Sequence, residues 1–346
     1  ASFALISYAT AYLKCHYFPE FTCALLNSWP MGFYTPATIV QDAKRHGLVV
    51  RPVDVLHSMW NCTMQPCAHS TGGFAVRMGL RYVKGLRKDE GEKIETAVKT
   101  VRRLWRTSDK GDDESFGATC DVPFTSIDDF TSRAGISNRS MCLLAEAGAF
   151  DSFKENRRVA LWQVQGMKME TTHLHRAQSE GANSGEGLTG AEPDLPLEES
   201  VPVFRSLSDI DTVTWDFRTM NHSTRSHLLE PFRDEFVSKG LPDARAVSRM
   251  EDGRHVNYAG IVICRQRPGT ASGVVFMTME DETGFVNTIL WPGVYEQFSV
   301  QARTLSFLGV SGEIQAAHGV LHVVVNKLWD PREYAKPPAV RSRDFH

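Results

Sequence analysis

The residues best suited to bind an anion lie in the stretch VKGLRKDE at 83–90. A helix-like segment ends before this stretch and a new helix is predicted to begin near Asp89, so the sequence predicts a hairpin between two helices. In such an element, backbone N–H groups of the hairpin and of the helix N-terminus face a phosphate, and nearby cations add an attraction that ignores base sequence. The predicted contacts to duplex DNA are Lys84, Gly85, Arg87 and Lys88.

Two features of this stretch leave its role open. Arg87 stands where the usual glycine–hydrophobic–glycine hairpin has its second glycine, which could loosen the tight turn while adding a cation. Residues 77–106 hold ten lysines and arginines against four aspartates and glutamates, although the whole chain has a net charge of -3. A basic face can therefore coexist with an acidic chain. A capped surface helix with a solvated charged face explains the same residues equally well.

The second candidate site is a predicted β-barrel. From residue 255 the pattern changes to five strands with one helix between the third and the fourth, which is the element order of an OB-fold. OB-folds bind single strands through a basic groove and stacking aromatic rings, although they also bind proteins and oligosaccharides. Alternation along the strands puts about half of the candidates in the core. The predicted single-strand contacts are Tyr258, Arg265, Arg267 and Trp291.

The acidic and thiol groups offer no catalytic or metal site. Residues 209–211 (DID) lack a framing strand and residues 280–282 (EDE) sit in a predicted hairpin, so both are expected to be solvated loops. The seven cysteines are irregularly spaced, which is typical of reduced thiols in a cytosolic protein. Cys62 and Cys67 with His69 lack the second ligand pair of a structural zinc site. We expect no catalytic residue, no bound metal and no cofactor in this chain.

The elements that would position these groups fall into six consecutive segments, and their order predicts an α+β, multidomain fold. The linker is rich in glycine, serine, glutamate and proline, and poor in residues that form a core. The predicted segments are a helical region at 1–71, the hairpin region at 72–166, a flexible linker at 167–200, a helical connector at 201–254, the five-stranded OB-fold barrel at 255–332 and a tail at 333–346.

The N-terminal stretch SFALISYATAYLKCHYFPEF has apolar residues at three- and four-residue spacing, which indicates one apolar face of a helix. Polar residues interrupt it and Pro19 breaks it near its middle, so neither a signal peptide nor a membrane span is predicted. We expect an interior helix of a longer chain, with Leu5, Tyr8 and Tyr12 exposed.

With these pieces in order, the sequence resembles the bacterial C-family DNA polymerases, the DNA polymerase III alpha subunits, nearly end to end outside the linker. The resemblance is carried by SFALISYATAYLKCHYFPEFTCALLNS, similar to the end of the fingers domain, by MGLRYVKGLRKDEGEKI, similar to the helix–hairpin–helix region, and by DFRTMNHSTRSHLLEPF, similar to the segment before the OB domain. The family usually has His-Pro where this chain has His227-Leu228. RYVKGLR, ENRRVALWQV and VVVNKLWD are most similar to the error-prone, damage-inducible branch, the ImuC type.

This resemblance implies a C-terminal fragment of an error-prone alpha subunit, in which 1–71 are the C-terminal part of the fingers domain. The parent enzyme would be a cytoplasmic nucleotidyltransferase that uses deoxynucleoside triphosphates and Mg²⁺ for translesion synthesis during damage-induced mutagenesis. Its catalytic palm would precede Ala1, so the fragment alone is expected to be inactive. The implied partners are primer–template DNA, a Y-family-like polymerase homologue and a RecA-like accessory protein.

Two alternatives remain open at the level of sequence. The chain could be a fragment of a replicative alpha subunit, which would carry a clamp-binding motif and a further C-terminal extension. It could also be a non-enzymatic DNA-binding protein built from helix–hairpin–helix and OB modules. Whether the barrel contacts template or a protein partner is not determined by its residues.

Overall fold

A computed structural model of the chain describes residues 2–32, 34–108, 124–166, 204–317, 319–337 and 343–345. The predicted linker at 167–200 lies outside the described residues. The chain divides into two compact units, one of Ala1–Pro52, Cys62–Met78 and Leu207–His346, and one of Val53–Asn61 and Gly79–Ser206. None of the helices in the described ranges combines the length and apolar composition needed to cross a membrane.

The first unit begins with three helices, α1 (Ser2–His16), α2 (Phe18–Asn27) and α3 (Pro36–Arg45). Leu5, Tyr8 and Tyr12 of α1 are exposed, as predicted, whereas α2 buries an apolar face. Three short strands follow, β1 (Val50–Arg51), β2 (Thr63–Pro66) and β3 (Phe74–Arg77). The central β3 pairs in parallel with β1 and antiparallel with β2.

The start of α3 shows why this helix forms where it does. Thr35 is its N-cap, and the hydroxyl of Thr35 accepts a hydrogen bond from the Thr38 N–H at 3.3 Å. Pro36 occupies the first helical position, where its missing N–H costs nothing. A threonine directly before a proline is the sequence pattern that favours a helix start of this kind.

The same unit contains a closed barrel of five strands, β4 (His255–Gln266), β5 (Val275–Glu280), β6 (Phe285–Leu290), β7 (Phe307–Ala317) and β8 (Val320–Trp329). The strand order is β5-β6-β8-β7-β4, and pairing of β4 with β5 closes the sheet. Two short helices, α11 (Pro292–Gln297) and α12 (Ser299–Thr304), connect β6 to β7. This confirms the predicted OB-fold, with two helices instead of one. In addition, β9 (Arg343–Phe345) pairs in parallel with the end of β4.

The middle of strand β4 is buried on both sides. Its inward residues, Tyr258 and Val262 among them, belong to the barrel core. Its outward residues Ala259, Ile261 and Ile263 form a second core with Phe236. The outer face of β4 is therefore covered from Ala259 to Ile263 and cannot serve as a ligand surface there.

The connector before the barrel contains α8 (Asp209–Met220), α9 (Arg233–Ser238) and α10 (Ala244–Val247), with a 3-10 turn at Glu230–Phe232. Phe236 of α9 and Phe232 of the turn supply that cover. Ser208 caps α8, because its hydroxyl accepts a hydrogen bond from the Asp211 N–H at 3.1 Å and donates one to the Asp211 carboxylate at 2.8 Å.

The prediction that residues 280–282 form a solvated acidic loop is wrong. Glu280 and Asp281 are buried, and Glu282 is only 14% exposed at its side chain. Arg45 pairs with Glu280 at 3.0 Å, and Arg233 pairs with Asp281 at 3.3 Å and with Glu282. These cations come from distant parts of the chain, so local composition could not reveal that they neutralise the loop.

The second unit is helical, with α4 (Lys88–Ser108), α5 (Ile127–Ala134), α6 (Asn138–Glu146) and a helix α7 at 157–166. Helix α4 buries Ile94, Val98 and Val101, which lie on one face at helical spacing. Gly91 permits close packing there, since a Cβ atom at this position would lie 2.4 Å from Cε3 of Trp60. A glycine that weakens an isolated helix is thus required by the packing.

Candidate nucleic-acid interface

The hairpin before α4 is anchored to the body of the second unit. The Leu80 N–H donates to the Met59 carbonyl at 2.9 Å, and the Arg81 N–H donates to the Trp60 carbonyl at 3.1 Å. A tight turn then forms when the Leu86 N–H donates to the Val83 carbonyl at 3.2 Å. The hairpin therefore begins at a segment that is hydrogen-bonded to the rest of the second unit, and not at a free loop.

Gly85 makes this turn possible. Its φ of +80° lies in the left-handed region, which strains any residue with a Cβ atom. A Cβ atom would also lie 3.3 Å from Cδ1 of Leu143. The turn therefore needs only one glycine, and Arg87 at the position of the usual second glycine is tolerated.

The four predicted duplex contacts, Lys84, Gly85, Arg87 and Lys88, are all exposed. Helix α4 begins at Lys88, and the Arg87 carbonyl accepts from the Gly91 N–H at 3.0 Å. The cationic side chains therefore lie at or next to the positive end of a helix of 21 residues. This is an arrangement in which a phosphate could be bound by charge and backbone together.

The hairpin cations have local acidic partners. Arg87 contacts Asp89 at 2.7 Å and Lys88 contacts Glu92 at 3.5 Å, with all four side chains more than half exposed. Ion pairs this exposed contribute little to stability. A phosphate can therefore replace the carboxylates of Asp89 and Glu92 at small cost. Arg87 also lies 3.7 Å from the buried carboxylate of Glu90. Partial burial lowers the pKa of Lys84.

A second turn lies between α5 and α6, and its helix N-terminus is occupied from within. Ser137 caps α6, and Glu90 of α4 accepts hydrogen bonds from the Ser137 N–H at 2.8 Å and from its hydroxyl at 3.1 Å. Burial raises the pKa of Glu90, but the hydrogen bonds from Ser137 and Ser140 outweigh this and hold it below the usual value. The sequence did not reveal this role of Glu90. Since a carboxylate already sits at α6, the α4 hairpin is the better phosphate site.

Two of the four predicted single-strand contacts are buried. Tyr258 is fully buried in the core, so no face of its ring can stack on a base. Arg265 is 9% exposed, and its guanidinium donates to the carbonyls of Ala302 at 2.6 Å and Leu305 at 2.5 Å. It also pairs with Asp344 at 3.2 Å. We therefore correct the predicted site by removing Tyr258 and Arg265 from it.

A register shift explains why Arg265 points inward. The pairing of β4 with β5 slips between Val262 and Cys264, which reverses the alternation beyond that point. Arg265 then faces the barrel end, where its guanidinium binds carbonyls at the end of α12. Such a register shift cannot be recognised from the pattern of hydrophobic residues.

The other two predicted contacts are exposed. Trp291 is 56% exposed and precedes α11, and it lines a cavity together with the carboxylates Asp252 and Glu313. The guanidinium carbon of Arg267 lies 5.2 Å from the ring centroid of Tyr295. The sequence analysis did not identify Tyr295 as a candidate contact, although its position one helical turn after Trp291 could have indicated it.

The described acidic and thiol residues do not fit a Mg²⁺ or zinc site. Within the described ranges, no group of three or more His, Cys, Asp or Glu side chains could hold a metal ion. Cys67 lies 3.4 Å from Nε2 of His69, while Cys62 is buried elsewhere in the same unit and its carbonyl accepts from Asn27 at 3.0 Å.

Comparisons with known proteins agree with both modules. Residues 47–109 and 119–160 match a family described as a helix-hairpin-helix motif, and residues 256–330 match an OB-fold nucleic acid binding domain. Among solved structures, asparaginyl-tRNA synthetase from Pyrococcus horikoshii shares 27% identity over 26% of this chain and 22% of that chain. Its TM-score is 0.23, too low to support any inference.

Curated relatives match the whole chain. The error-prone DNA polymerase of Pseudomonas savastanoi pv. phaseolicola is 35% identical over 347 residues, covering 100% of this chain and 30% of that protein. Error-prone DNA polymerase 2 of Rhizobium meliloti is 38% identical over 332 residues, covering 95% of this chain and 28% of that protein. The chain thus spans under a third of the length of these relatives. It is related along its whole length to a segment of the error-prone DNA polymerases, and it carries a helix-hairpin-helix motif and an OB-fold nucleic acid binding domain.

Proposed function

We propose that this chain is the DNA-binding portion of an error-prone DNA polymerase. Lys84, Gly85, Arg87 and Lys88 hold the phosphates of the primer–template duplex, and the barrel holds single-stranded template through Arg267 and Trp291. The observation that carries the duplex assignment is the α4 hairpin, which exposes these four residues at a helix N-terminus on an anchored turn. Such a site binds backbone without reading bases.

The parent protein, in this proposal, extends primers with deoxynucleoside triphosphates and Mg²⁺ opposite damaged template. The similarity to proteins named error-prone DNA polymerases supports this. The described acidic residues of the chain do not converge on a metal position. The catalytic carboxylates and their Mg²⁺ are therefore assigned to another segment of the longer protein.

The proposal extends to location and partners. The parent protein acts in the cytoplasm, together with a Y-family-like polymerase homologue and a RecA-like accessory protein. Co-purification of the full-length protein with each candidate partner, with and without DNA damage, tests this part. A full-length polymerase that recovers neither partner under either condition would exclude both.

Duplex binding is tested with fluorescent primer–template DNA and the 346-residue chain. Replacing Lys84, Arg87 and Lys88 together with Ala is expected to weaken duplex binding more than single-strand binding. The slope of log affinity against log salt should fall by about 2 to 3, since each lost phosphate contact removes about 0.9.

A charge-matched control replaces Lys239, Arg245 and Arg249, which are exposed on the other unit, with Ala. This variant should keep both the duplex affinity and the salt slope of the parent chain. If the hairpin variant and the control lose duplex affinity equally, the hairpin is not the duplex site.

Primer extension by the isolated chain tests the assignment of catalysis. We expect no incorporation of nucleotides with Mg²⁺ or Mn²⁺, because the described carboxylates cannot bring two cations together. The full-length polymerase under the same conditions is the positive control. Incorporation by the 346-residue chain would mean that it holds an active site of its own.

A further inference from the structure

A cavity of about 370 Å³ lies at the end of the barrel next to the last residues of β4. Its walls come from the end of β4, the start of β5, the helices α11 and α12, and β9. Three of its side chains are arginines and one is an acid. The polar lining consists of Arg265, Gln266, Arg267, Tyr295, Arg303 and Asp344.

Two guanidinium groups meet at one aromatic ring in this cavity. The Cζ atoms of Arg267 and Arg303 lie 5.2 Å and 5.6 Å from the ring centroid of Tyr295. The Nε of Arg303 also donates a hydrogen bond to the Tyr295 hydroxyl at 2.9 Å. Since that hydroxyl accepts from Arg303, its own proton remains available to a third group.

The positive charge of these two arginines is not neutralised within the described part of the chain. Asp344 is the one acid among the cavity-lining residues, and it pairs with Arg265 at 3.2 Å. No described carboxylate lies within ion-pair distance of Arg267 or Arg303. Two like charges held beside one ring favour an anion between them.

The loop between β4 and β5 begins at Arg267 and is folded by its own hydrogen bonds. The Ala271 N–H donates to the Pro268 carbonyl and the Val274 N–H donates to the Ala271 carbonyl, both at 3.0 Å. Gly273 has a φ of +85°, and a Cβ atom there would lie 3.7 Å from Nη2 of Arg267 and 3.5 Å from Pro292. The loop therefore folds back against the start of α11, with Gly273 next to the Arg267 guanidinium.

We propose that Arg267, Tyr295 and Arg303 form a phosphate site, in which the two guanidinium groups and the tyrosine hydroxyl donate to the oxygens of one phosphate of a single-stranded DNA. This site rests on the proposed function and specifies which barrel residues bind the single strand. Planar guanidinium groups suit phosphate because they donate two parallel hydrogen bonds. Trp291, one helical turn before Tyr295, is then close enough along the chain to stack on a neighbouring base.

The test measures binding of a fluorescent oligothymidylate to the 346-residue chain across a range of salt concentrations. The variants are Arg267→Gln, Arg303→Gln, both together, and Tyr295→Phe, with Arg249→Gln as an exposed, charge-matched control. Because both arginines bind one phosphate, the double variant should lower the salt slope by about 0.7, and each single arginine variant should lower it by less. Tyr295→Phe should weaken binding about fivefold through the lost hydrogen bond. Midpoints of thermal unfolding verify that each variant folds.

Two further arms identify the phosphate. The affinity of an oligonucleotide with a 5′-phosphate is compared with that of one without it. If the site binds a terminal phosphate, the phosphorylated oligonucleotide binds more tightly to the parent chain, and this difference disappears in the double variant. Equal affinities with the lowered slope assign an internal phosphodiester. A folded double variant with an unchanged slope overturns the site.

Pyrophosphate, titrated by calorimetry, separates this inference from the proposed function. If the chain binds pyrophosphate through Arg267 and Arg303 but binds no single strand, the phosphate site stands and the single-strand function fails. If the chain binds single strands with an unchanged slope in the double variant and binds no pyrophosphate, the function stands and the site fails.

Discussion

Arg45 donates hydrogen bonds from Nη1 and Nη2 to Oε1 of Glu280, both at 3.0 Å, and so joins the end of α3 to the β5–β6 hairpin. The guanidinium also lies 4.3 Å from the ring centroid of Phe285. The two charged side chains are 13% and 4% exposed. Burial raises the pKa of Glu280 to about 7, although Arg45 opposes that rise.

Removing Arg45 should therefore destabilise the first unit strongly. Arg45→Ala leaves Glu280 buried without its guanidinium, and we expect the free energy of unfolding to fall by about 3 kcal/mol. Replacing Arg45 and Glu280 together with Met should restore much of this loss, because no uncompensated charge remains. Chemical unfolding of the parent chain and of the two variants measures both changes. Lys14→Ala is the control, since its ion pair with Asp42 is exposed and should contribute less than about 1 kcal/mol.

His227 should make stability depend on pH. Its Nδ1 accepts a hydrogen bond from the Leu229 N–H at 3.1 Å. Burial, with the nearby charges of Arg45, Arg233 and Lys44, lowers the pKa of His227 from 6.5 to about 3. Because the folded pKa lies below the unfolded value, this stability is complete above pH 6.5 and is lost as pH falls toward about 3.

The variant His227→Asn keeps a side-chain acceptor for the Leu229 N–H but cannot titrate. Its free energy of unfolding should fall less than that of the parent chain as pH is lowered, with a difference on the order of 4 kcal/mol at the acid end. Urea unfolding at a series of pH values measures this. Parallel pH profiles for both proteins would show that the buried imidazole does not stay neutral.

Replacing Gly91 should lower the stability of the second unit, although this glycine lies inside a helix. Helix propensity alone would favour Gly91→Ala by about 1 kcal/mol, but the added Cβ atom would lie 2.4 Å from the Trp60 ring. We expect the variant to be destabilised by about 1 to 3 kcal/mol as the ring is displaced. Thr100→Ala, at an exposed position on the same helix, should be neutral or slightly stabilising. A stabilised Gly91→Ala variant would contradict this packing.

Arg265 should act on stability and not on DNA. Arg265→Ala removes the donors to the carbonyls of Ala302 and Leu305, so the midpoint of thermal unfolding should fall by several degrees. The salt slope of single-strand binding should remain that of the parent chain. A slope lowered by about 0.7 in a stably folded variant would assign Arg265 to the DNA instead.

The sequence by itself determined the element order of the barrel, the cap at Thr35 and the position of the glycine hairpin. Each depends on local chemistry, namely strand patterning, a hydroxyl before a proline, or a glycine at a left-handed turn. Within one helix, strand or turn, residues close in sequence are also close in space, so the spacing of residue types is enough to predict these features.

Only the tertiary structure decided what the acidic residues 280–282 and the candidate barrel residues do. Arg45 lies 235 residues from Glu280, and no local pattern reports such a partner. A single register shift in β4 turned Arg265 inward, because one extra residue reverses every later side chain on the strand. The close approach of Arg267 and Arg303 to Tyr295 likewise depends on how a loop and two helices fold over the barrel end.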